Sequence, residues 1–238
     1  ADLRAVQGFE TLSKTGTRVL NVNGPMSSDF TAVRVTQGTL NVAAAGIVVP
    51  APGSTMDTIV AGGAILNVEG SYGCGAGSDT MTAAGTVSGS GTIDLCGGDD
   101  TLTLQDGAQL NAAISAGLGA GDTLVLDNAG ALAFDAGRTS NFELLRKDNI
   151  GVATLAGSQG FSGGTAITGG TLDVDGTLET PTIALADGTE LRVDGIVQAG
   201  GPAAAVIAGS AGANAVTVGA GGTLRASGDL GAGADVLD

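Results

Sequence analysis

The chain has 238 residues, among them 43 glycines, five phenylalanines, one tyrosine and no tryptophan or histidine. Its formal net charge of −15 at pH 7 disfavours binding to the phosphates of nucleic acids. Without histidine, the chain cannot assemble a Ser-His-Asp or Cys-His nucleophile from its own residues. The small number of large rings predicts a core of small aliphatic side chains in thin layers, as solenoid proteins have.

The first part of the chain predicts short strands that are separated by glycine and proline. The strand-like runs are Thr17–Val22, Phe30–Thr36 and Gly38–Val42, each rich in valine, leucine or threonine. Pro50 and Pro52 follow them. Because proline cannot donate to a central ladder, this pair predicts a corner or a small loop.

Two later stretches depart from this pattern. Residues 70–79 hold four glycines in GSYGCGAGSD, which predicts a protruding turn. Residues 129–150 are the least β-like part of the chain, and Phe142–Lys147 has a composition that would also suit a helical turn. The internal repeat described below favours a strand there.

The stretch Gly151–Leu178 shows the organising pattern most clearly. Its β-prone runs are Val152–Leu155, Thr165–Ile167 and Thr171–Val174. Glycine pairs at 163–164 and 169–170 separate them, and glycine accepts positive φ at little steric cost. Strand, corner, strand, corner and strand in so few residues describes about one turn of a β-solenoid.

An internal repeat links residues 9–46 to residues 142–178. The first copy begins F-E-T-L-S-K and ends this run at Lys14, while the second begins F-E-L-L-R-K and ends it at Lys147. Both copies continue directly into predicted strands, which favours a strand in the second copy as well.

Two shorter units recur along the chain. Relatives of Gly-Thr-Leu-x-Val lie at 38–42, 91–95, 170–174, 188–193 and 222–226. Aspartate followed by Thr-Leu or Val-Leu comes after glycines within 98–104, 121–126 and 233–237. Intervals of about 20 residues suit one coil of a β-helix. We therefore predict an all-β chain, a right-handed parallel β-helix of roughly ten to twelve rungs that spans 1–238 as a single segment.

Candidate chemistry is sparse. Asp99 and Asp100 are adjacent acids of the kind that glycoside hydrolysis uses, but acids in a glycine-led turn more often face solvent or cap the backbone. The run Gly231-x-Gly233-x-Asp235-x-Leu237 matches the nonapeptide calcium pattern once, although that pattern binds calcium in tandem arrays. We predict no catalytic, cofactor-binding or metal-binding residue.

Several of these motifs resemble the passenger domains of bacterial autotransporters, the proteins of type V secretion. The resemblance rests on FETLSKTG at 9–16, GFSGGTAITGGTLDVDGTL at 160–178, and the series GDDTLTL, GDTLVL and GADVLD. The second stretch is similar to the passenger-associated repeat. The match is closest over 1–46, 97–178 and 188–238, and it is weaker over 47–96.

The resemblance implies a right-handed β-helix displayed at the surface of a Gram-negative bacterium. It implies a fragment of a longer passenger, with a signal peptide upstream and the protein's own outer-membrane β-barrel downstream. The expected function is a non-enzymatic, virulence-associated adhesin or structural stalk. Its partners would be a host-cell or matrix surface, or other passengers. The alternatives are a stalk for an enzymatic or effector domain outside this chain, and a calcium-binding repeat protein.

The two cysteines, Cys74 and Cys96, are 22 residues apart, close to the length of one coil. Residues one coil apart lie on adjacent rungs, within reach of a disulfide, and exported proteins permit such bonds. We predict a structural disulfide between them. Two free buried thiols are the alternative, and a metal pair lacks further ligands.

Overall fold

The chain forms parallel β-sheets, and successive coils supply the strands of each sheet. The structure is a computed structural model, which describes residues 2–3, 8–28, 31–201 and 203–238. The side chains at positions 27, 28 and 74 lie outside this description. Two compact units are present: unit 1 holds Ala1–Asp122 with Arg138–Asn141, and unit 2 holds Thr123–Gly137 with Phe142–Asp238.

Unit 1 contains three parallel sheets, here named A, B and C. Sheet A consists of Asp2–Leu3, Val19–Val22, Thr39–Val42, Ile65–Val68, Thr86–Ser88 and Gln109–Leu110. Sheet B consists of Thr11–Lys14, Ala32–Val35, Asp57–Val60, Thr80–Ala83 and Thr101–Gln105. Sheet C consists of Pro25–Ser28, Ile47–Pro50, Ser71–Gly75, Thr92–Cys96, Ile114–Ser115 and Thr139–Ser140.

Unit 2 also contains three parallel sheets, named D, E and F. Sheet D consists of Thr123–Asp127, Leu144–Asp148, Gly164–Ile167, Thr182–Leu185, Ala205–Gly209 and Ala226–Asp229. Sheet E consists of Ala131–Asp135, Val152–Ala156, Thr171–Val174, Glu190–Val193, Ala215–Val218 and Val236–Leu237. Sheet F consists of Ser158–Gly160, Thr177–Glu179, Ile196–Gln198 and Thr223–Leu224.

Helix is nearly absent from the described residues. They contain one short 3-10 helix, Ala136–Arg138, and none of their helices is long and apolar enough to cross a membrane. The five strands of sheet B mark five coils in unit 1, and the six strands of sheet D mark six coils in unit 2. The predicted all-β parallel solenoid and its number of rungs are therefore confirmed.

Residues at the same position of successive coils pair directly. In sheet A, Val19 pairs with Thr39, and Thr39 pairs with Ile65. Side chains alternate between the inside and the outside of the coil, as the period of two in a strand requires. The inward side chains stack in columns such as Leu40, Leu66 and Val87, all of which are buried. Stacked aliphatic columns therefore form the core of each unit.

Most strands within and around Gly151–Leu178 were predicted correctly from the sequence. The runs expected there appear as Val152–Ala156, Gly164–Ile167 and Thr171–Val174. The second repeat copy also forms a strand, Leu144–Asp148, as the repeat indicated. In the first copy, Ala32–Val35 lies within the predicted run, whereas Phe30 lies outside the described residues.

The prediction of a turn at 70–79 was wrong over its first half, because Ser71–Gly75 is a strand of sheet C. Tyr72 points into the core, where it is 1% exposed, and its hydroxyl shares a 2.8 Å hydrogen bond with Thr58 Oγ1. A Cβ at Gly73 would overlap the carbonyl oxygen of Asp94 on the neighbouring strand. Glycine here permits close stacking of two coils instead of making a turn.

Candidate functional site

Three buried aspartates of unit 1 each lie immediately before a strand, one on each of three successive coils. Asp79, Asp100 and Asp122 are 1%, 0% and 0% exposed, and together they form what we call the aspartate ladder. The backbone N–H of Asp79 donates to Asp100 Oδ1 at 2.6 Å, and that of Asp100 donates to Asp122 Oδ1 at 2.7 Å. The N–H of Met56 donates to Asp79 Oδ1 at 2.6 Å. Each carboxylate thus ties its own coil to the preceding one.

The protein interior disfavours negative charge on this ladder. Burial raises the pKa of Asp79 and raises that of Asp100 to about 6. For Asp100, the hydrogen bond from the Asp79 N–H lowers the pKa, whereas the carboxylates of Asp79, Asp122 and Asp99 raise it further. Asp100 Oδ2 is buried without a hydrogen-bond partner. Asp100 can therefore bind a proton at Oδ2 while its Oδ1 accepts the backbone N–H of Asp79.

The adjacent acids Asp99 and Asp100 do not form a paired site. Asp99 is exposed, whereas Asp100 faces the interior and accepts a backbone N–H. A general acid must reach a bound substrate, and a fully buried carboxylate that ties two coils together has no such access. Asp99 therefore faces solvent and Asp100 caps a backbone N–H, which are the roles that acids in glycine-led turns more often have.

Two buried lysines occupy equivalent positions in the two repeat copies. In unit 1, Lys14 Nζ donates to the carbonyl oxygens of Thr15, Gly16 and Gln37 at 3.0, 2.5 and 2.9 Å. In unit 2, Lys147 Nζ donates to the carbonyl oxygens of Asp148, Asn149 and Gly169 at 2.6, 2.9 and 3.3 Å. Each ammonium binds the corner of its own coil and one carbonyl of the following coil. We call this arrangement a lysine clamp.

One group of acids in unit 2 has the spacing of cation ligands. Single carboxylate oxygens of Asp173, Asp175 and Asp194 lie within 4.8 Å of one another. Arg192 Nη1 lies 3.8 Å from Asp173 Oδ2, and Arg192 Nη2 lies 3.2 Å from Glu190 Oε2. Burial raises the pKa of Asp173, while Arg192 lowers it. Asp175 and Asp194 are exposed, so a guanidinium already compensates the one half-buried acid of this group.

Polar side chains form columns on the outer faces of the sheets. On sheet A, the amide column consists of Asn21, Asn41, Asn67 and Ser88, one residue per coil. Asn41 Nδ2 donates to Asn21 Oδ1 at 2.9 Å, and Asn67 Nδ2 donates to Asn41 Oδ1 at 2.8 Å. Ser88 Oγ continues the column by donating to Asn67 Oδ1 at 2.9 Å. These bonds hold the side chains in one line, which presents a fixed polar surface.

A shallow groove of about 300 Å³ crosses the outer face of sheet D in unit 2. Its lining includes Leu144, Arg146, Gly164, Ala166 and Thr182. Arg146 is its charged residue, and Arg146 Nε donates to Asp148 Oδ2 at 2.7 Å. Among the lining residues that the structure describes, no nucleophile lies beside a base.

The single calcium-like motif has a structural role in unit 2. Asp235 Oδ1 accepts a hydrogen bond from the Asn214 N–H at 3.0 Å, in the same way as the aspartate ladder. A Cβ at Gly233 would overlap the carbonyl oxygen of Gly212 on the neighbouring coil. Coil stacking therefore accounts for both the glycine and the aspartate of this motif.

The predicted disulfide stays a prediction because the Cys74 side chain lies outside the described part of the structure. The backbone register pairs Gly73 with Asp94 and Gly75 with Cys96, so both cysteines lie on adjacent strands of sheet C. We expect no thiol to react in denaturant before reduction and two to react afterwards. Reduction should lower stability by about 3 kcal/mol. Two reactive thiols in the unreduced protein would contradict the bond.

Comparison with known proteins adds no relative: no family model, curated protein or solved structure matches the chain.

Proposed function

We propose that this chain is a non-enzymatic segment of an autotransporter passenger domain, displayed at the surface of a Gram-negative bacterium as an adhesin or structural stalk. The observation that carries the proposal is the amide column, a fixed line of polar groups on the outside of unit 1. The motif resemblance at 9–16 and 160–178 supplies the passenger assignment and, with it, the outer-membrane anchoring.

The distribution of polar groups supports a role in contact over one in catalysis. The aspartate ladder and the lysine clamps are buried and bind backbone groups of neighbouring coils. The amide column faces outward, and its members are half-exposed. A partner surface could meet several coils at once along such a column, which suits a host-cell surface, a matrix fibre or a second passenger.

A second candidate, a calcium-binding repeat protein, is favoured by one observation, the close carboxylates of Asp173, Asp175 and Asp194. Two contacts weigh against it, because Arg192 lies beside the Asp173 carboxylate and Asp235 accepts a hydrogen bond from the Asn214 N–H. In the remaining alternative, another domain of the parent protein carries the activity. This chain would then serve as a structural spacer, for which a stable fold is sufficient.

The test is to display the chain on a non-adherent Gram-negative strain, between a signal peptide and an autotransporter barrel. We expect a protease-resistant chain at the cell surface, faster settling of the cells, or binding to host cells and matrix. Asn67→Lys should interrupt the amide column and reduce that binding, whereas Thr101→Lys on sheet B is the control.

The outcomes separate the readings. Display with protease resistance but no settling or binding above barrel-only cells would exclude the adhesin and leave the stalk. A chain that reaches the surface but is digested as readily as an unfolded polypeptide would contradict both roles.

A further inference from the structure

The aspartate ladder places three carboxyl groups one above another inside unit 1. Each accepts a backbone N–H from the preceding coil through one oxygen. Asp100 is the middle member and is fully buried, and its second oxygen has no hydrogen-bond partner. A buried carboxylate oxygen in this position is stabilised by taking a proton.

The charged groups that act on Asp100 all carry the same sign. Asp79 faces it from the preceding coil, Asp122 from the following coil, and Asp99 from its own coil. The sequence contains no lysine or arginine between Arg34 and Arg138. Full ionisation therefore gathers negative charge in the interior, where like charges repel more strongly than in water.

We infer that the aspartate ladder is a proton-binding site which makes unit 1 more stable in mildly acidic than in neutral solution. The proton resides on Oδ2 of Asp100, while Oδ1 keeps its hydrogen bond from the Asp79 N–H. The ties between coils thus persist in the protonated state. This inference concerns unit 1 alone and does not depend on the proposed function.

The direction of the pH effect follows from linkage. Burial raises the pKa of Asp100 from an ordinary value of 3.8 to about 6, so the folded chain binds a proton at a higher pH than the unfolded chain. The resulting stabilisation is complete below about pH 4 and is lost as the pH rises through about 6. Asp79, whose pKa burial also raises, acts in the same direction.

Tyr72 provides a probe of this unit, because the chain has one tyrosine and no tryptophan. It is buried in sheet C, so its fluorescence reports unfolding of unit 1. We expect urea titrations followed at Tyr72 to show about a 25-fold larger folding constant at pH 4.5 than at pH 7.5 from Asp100 alone. The urea midpoint should shift upward accordingly.

Asp100→Asn is the diagnostic variant, since the amide keeps an Oδ1 acceptor for the Asp79 N–H and carries no charge. At pH 7.5 it should be more stable than the wild type, and most of the dependence on pH should disappear. Asp99→Asn removes the same charge from the exposed neighbour and should keep that dependence. This control separates the ladder from the general effect of lowering the net charge.

Two results would overturn the inference. One is a wild-type midpoint that is unchanged or lower at pH 4.5. The other is the same pH dependence in Asp100→Asn as in Asp99→Asn. If Asp100→Asn does not fold, the wild-type pH series followed at Tyr72 still decides, because an absent acid stabilisation rejects the proton site directly.

Discussion

The Lys147→Met variant should lose about 3 kcal/mol of the free energy of unfolding of unit 2. Lys147 is 0% exposed, and its ammonium donates to three backbone carbonyls at a corner between coils. Methionine fills a similar volume but has no donor. Three carbonyl oxygens would thus lose a charged hydrogen-bond donor inside the protein, where water cannot fully replace it.

The measurement is urea unfolding followed by far-UV circular dichroism, with Arg146→Met as the matched control. Arg146 is the exposed neighbour, and its ion pair with Asp148 is worth less than about 1 kcal/mol at a surface. We expect Lys14→Met to destabilise unit 1 for the same reason as its counterpart, because Lys14 forms the equivalent clamp. Equal midpoints for Lys147→Met and Arg146→Met would contradict the clamp.

Gly176→Ala should destabilise unit 2 by about 3 kcal/mol through overpacking. Gly176 lies at a corner where the coils touch through their backbones. A Cβ there would overlap the carbonyl oxygen of Gly157, and the Gly157 oxygen also accepts the Thr177 N–H at 2.7 Å. Gly195 repeats this contact against Gly176 on the next coil. An added methyl group must therefore separate two coils whose backbones are hydrogen-bonded.

Gly160→Ala is the matched control for this corner. The nearest atom to a Cβ at Gly160 is Glu179 Cβ at 3.8 Å, which is ordinary van der Waals contact. The change should alter the free energy of unfolding by less than about 0.5 kcal/mol. Thermal melts of the two variants side by side decide the matter, because similar melting temperatures would show that the corners are not packed against one another.

The sequence predicted the strands and coils because their signals are local. Alternation of apolar and small residues identified the strand Thr171–Val174, and the spacing of recurring units identified the coil. The stretch 70–79 misled because glycine has two uses. At Gly73 and Gly75 it lets adjacent coils approach, and this depends on a neighbouring strand that a local pattern does not reveal.

The buried lysines and aspartates recur at matching positions of the sequence repeats, but the sequence did not predict their roles. The lysines of the repeat aligned Lys14 with Lys147, and the aspartate units included Asp100 and Asp122. The lysines follow the alternation of their strands, with Lys14 in phase with Leu12 and Lys147 in phase with Leu145. The aspartates lie at corners, where the period of two breaks down and gives no signal of an inward side chain. Only the register between coils shows that each aspartate meets the backbone N–H of the preceding turn.

The most direct test of the whole account is far-UV circular dichroism with thermal melting, first in EDTA and then in excess calcium. In this structure, carboxylates, lysines and glycines of the chain itself tie one coil to the next. We therefore predict a β-rich spectrum and the same melting temperature in both solutions. A random-coil spectrum in EDTA that becomes β-rich only with calcium would contradict this prediction. It would indicate that calcium binds at the acidic turns, which would then be the functional site.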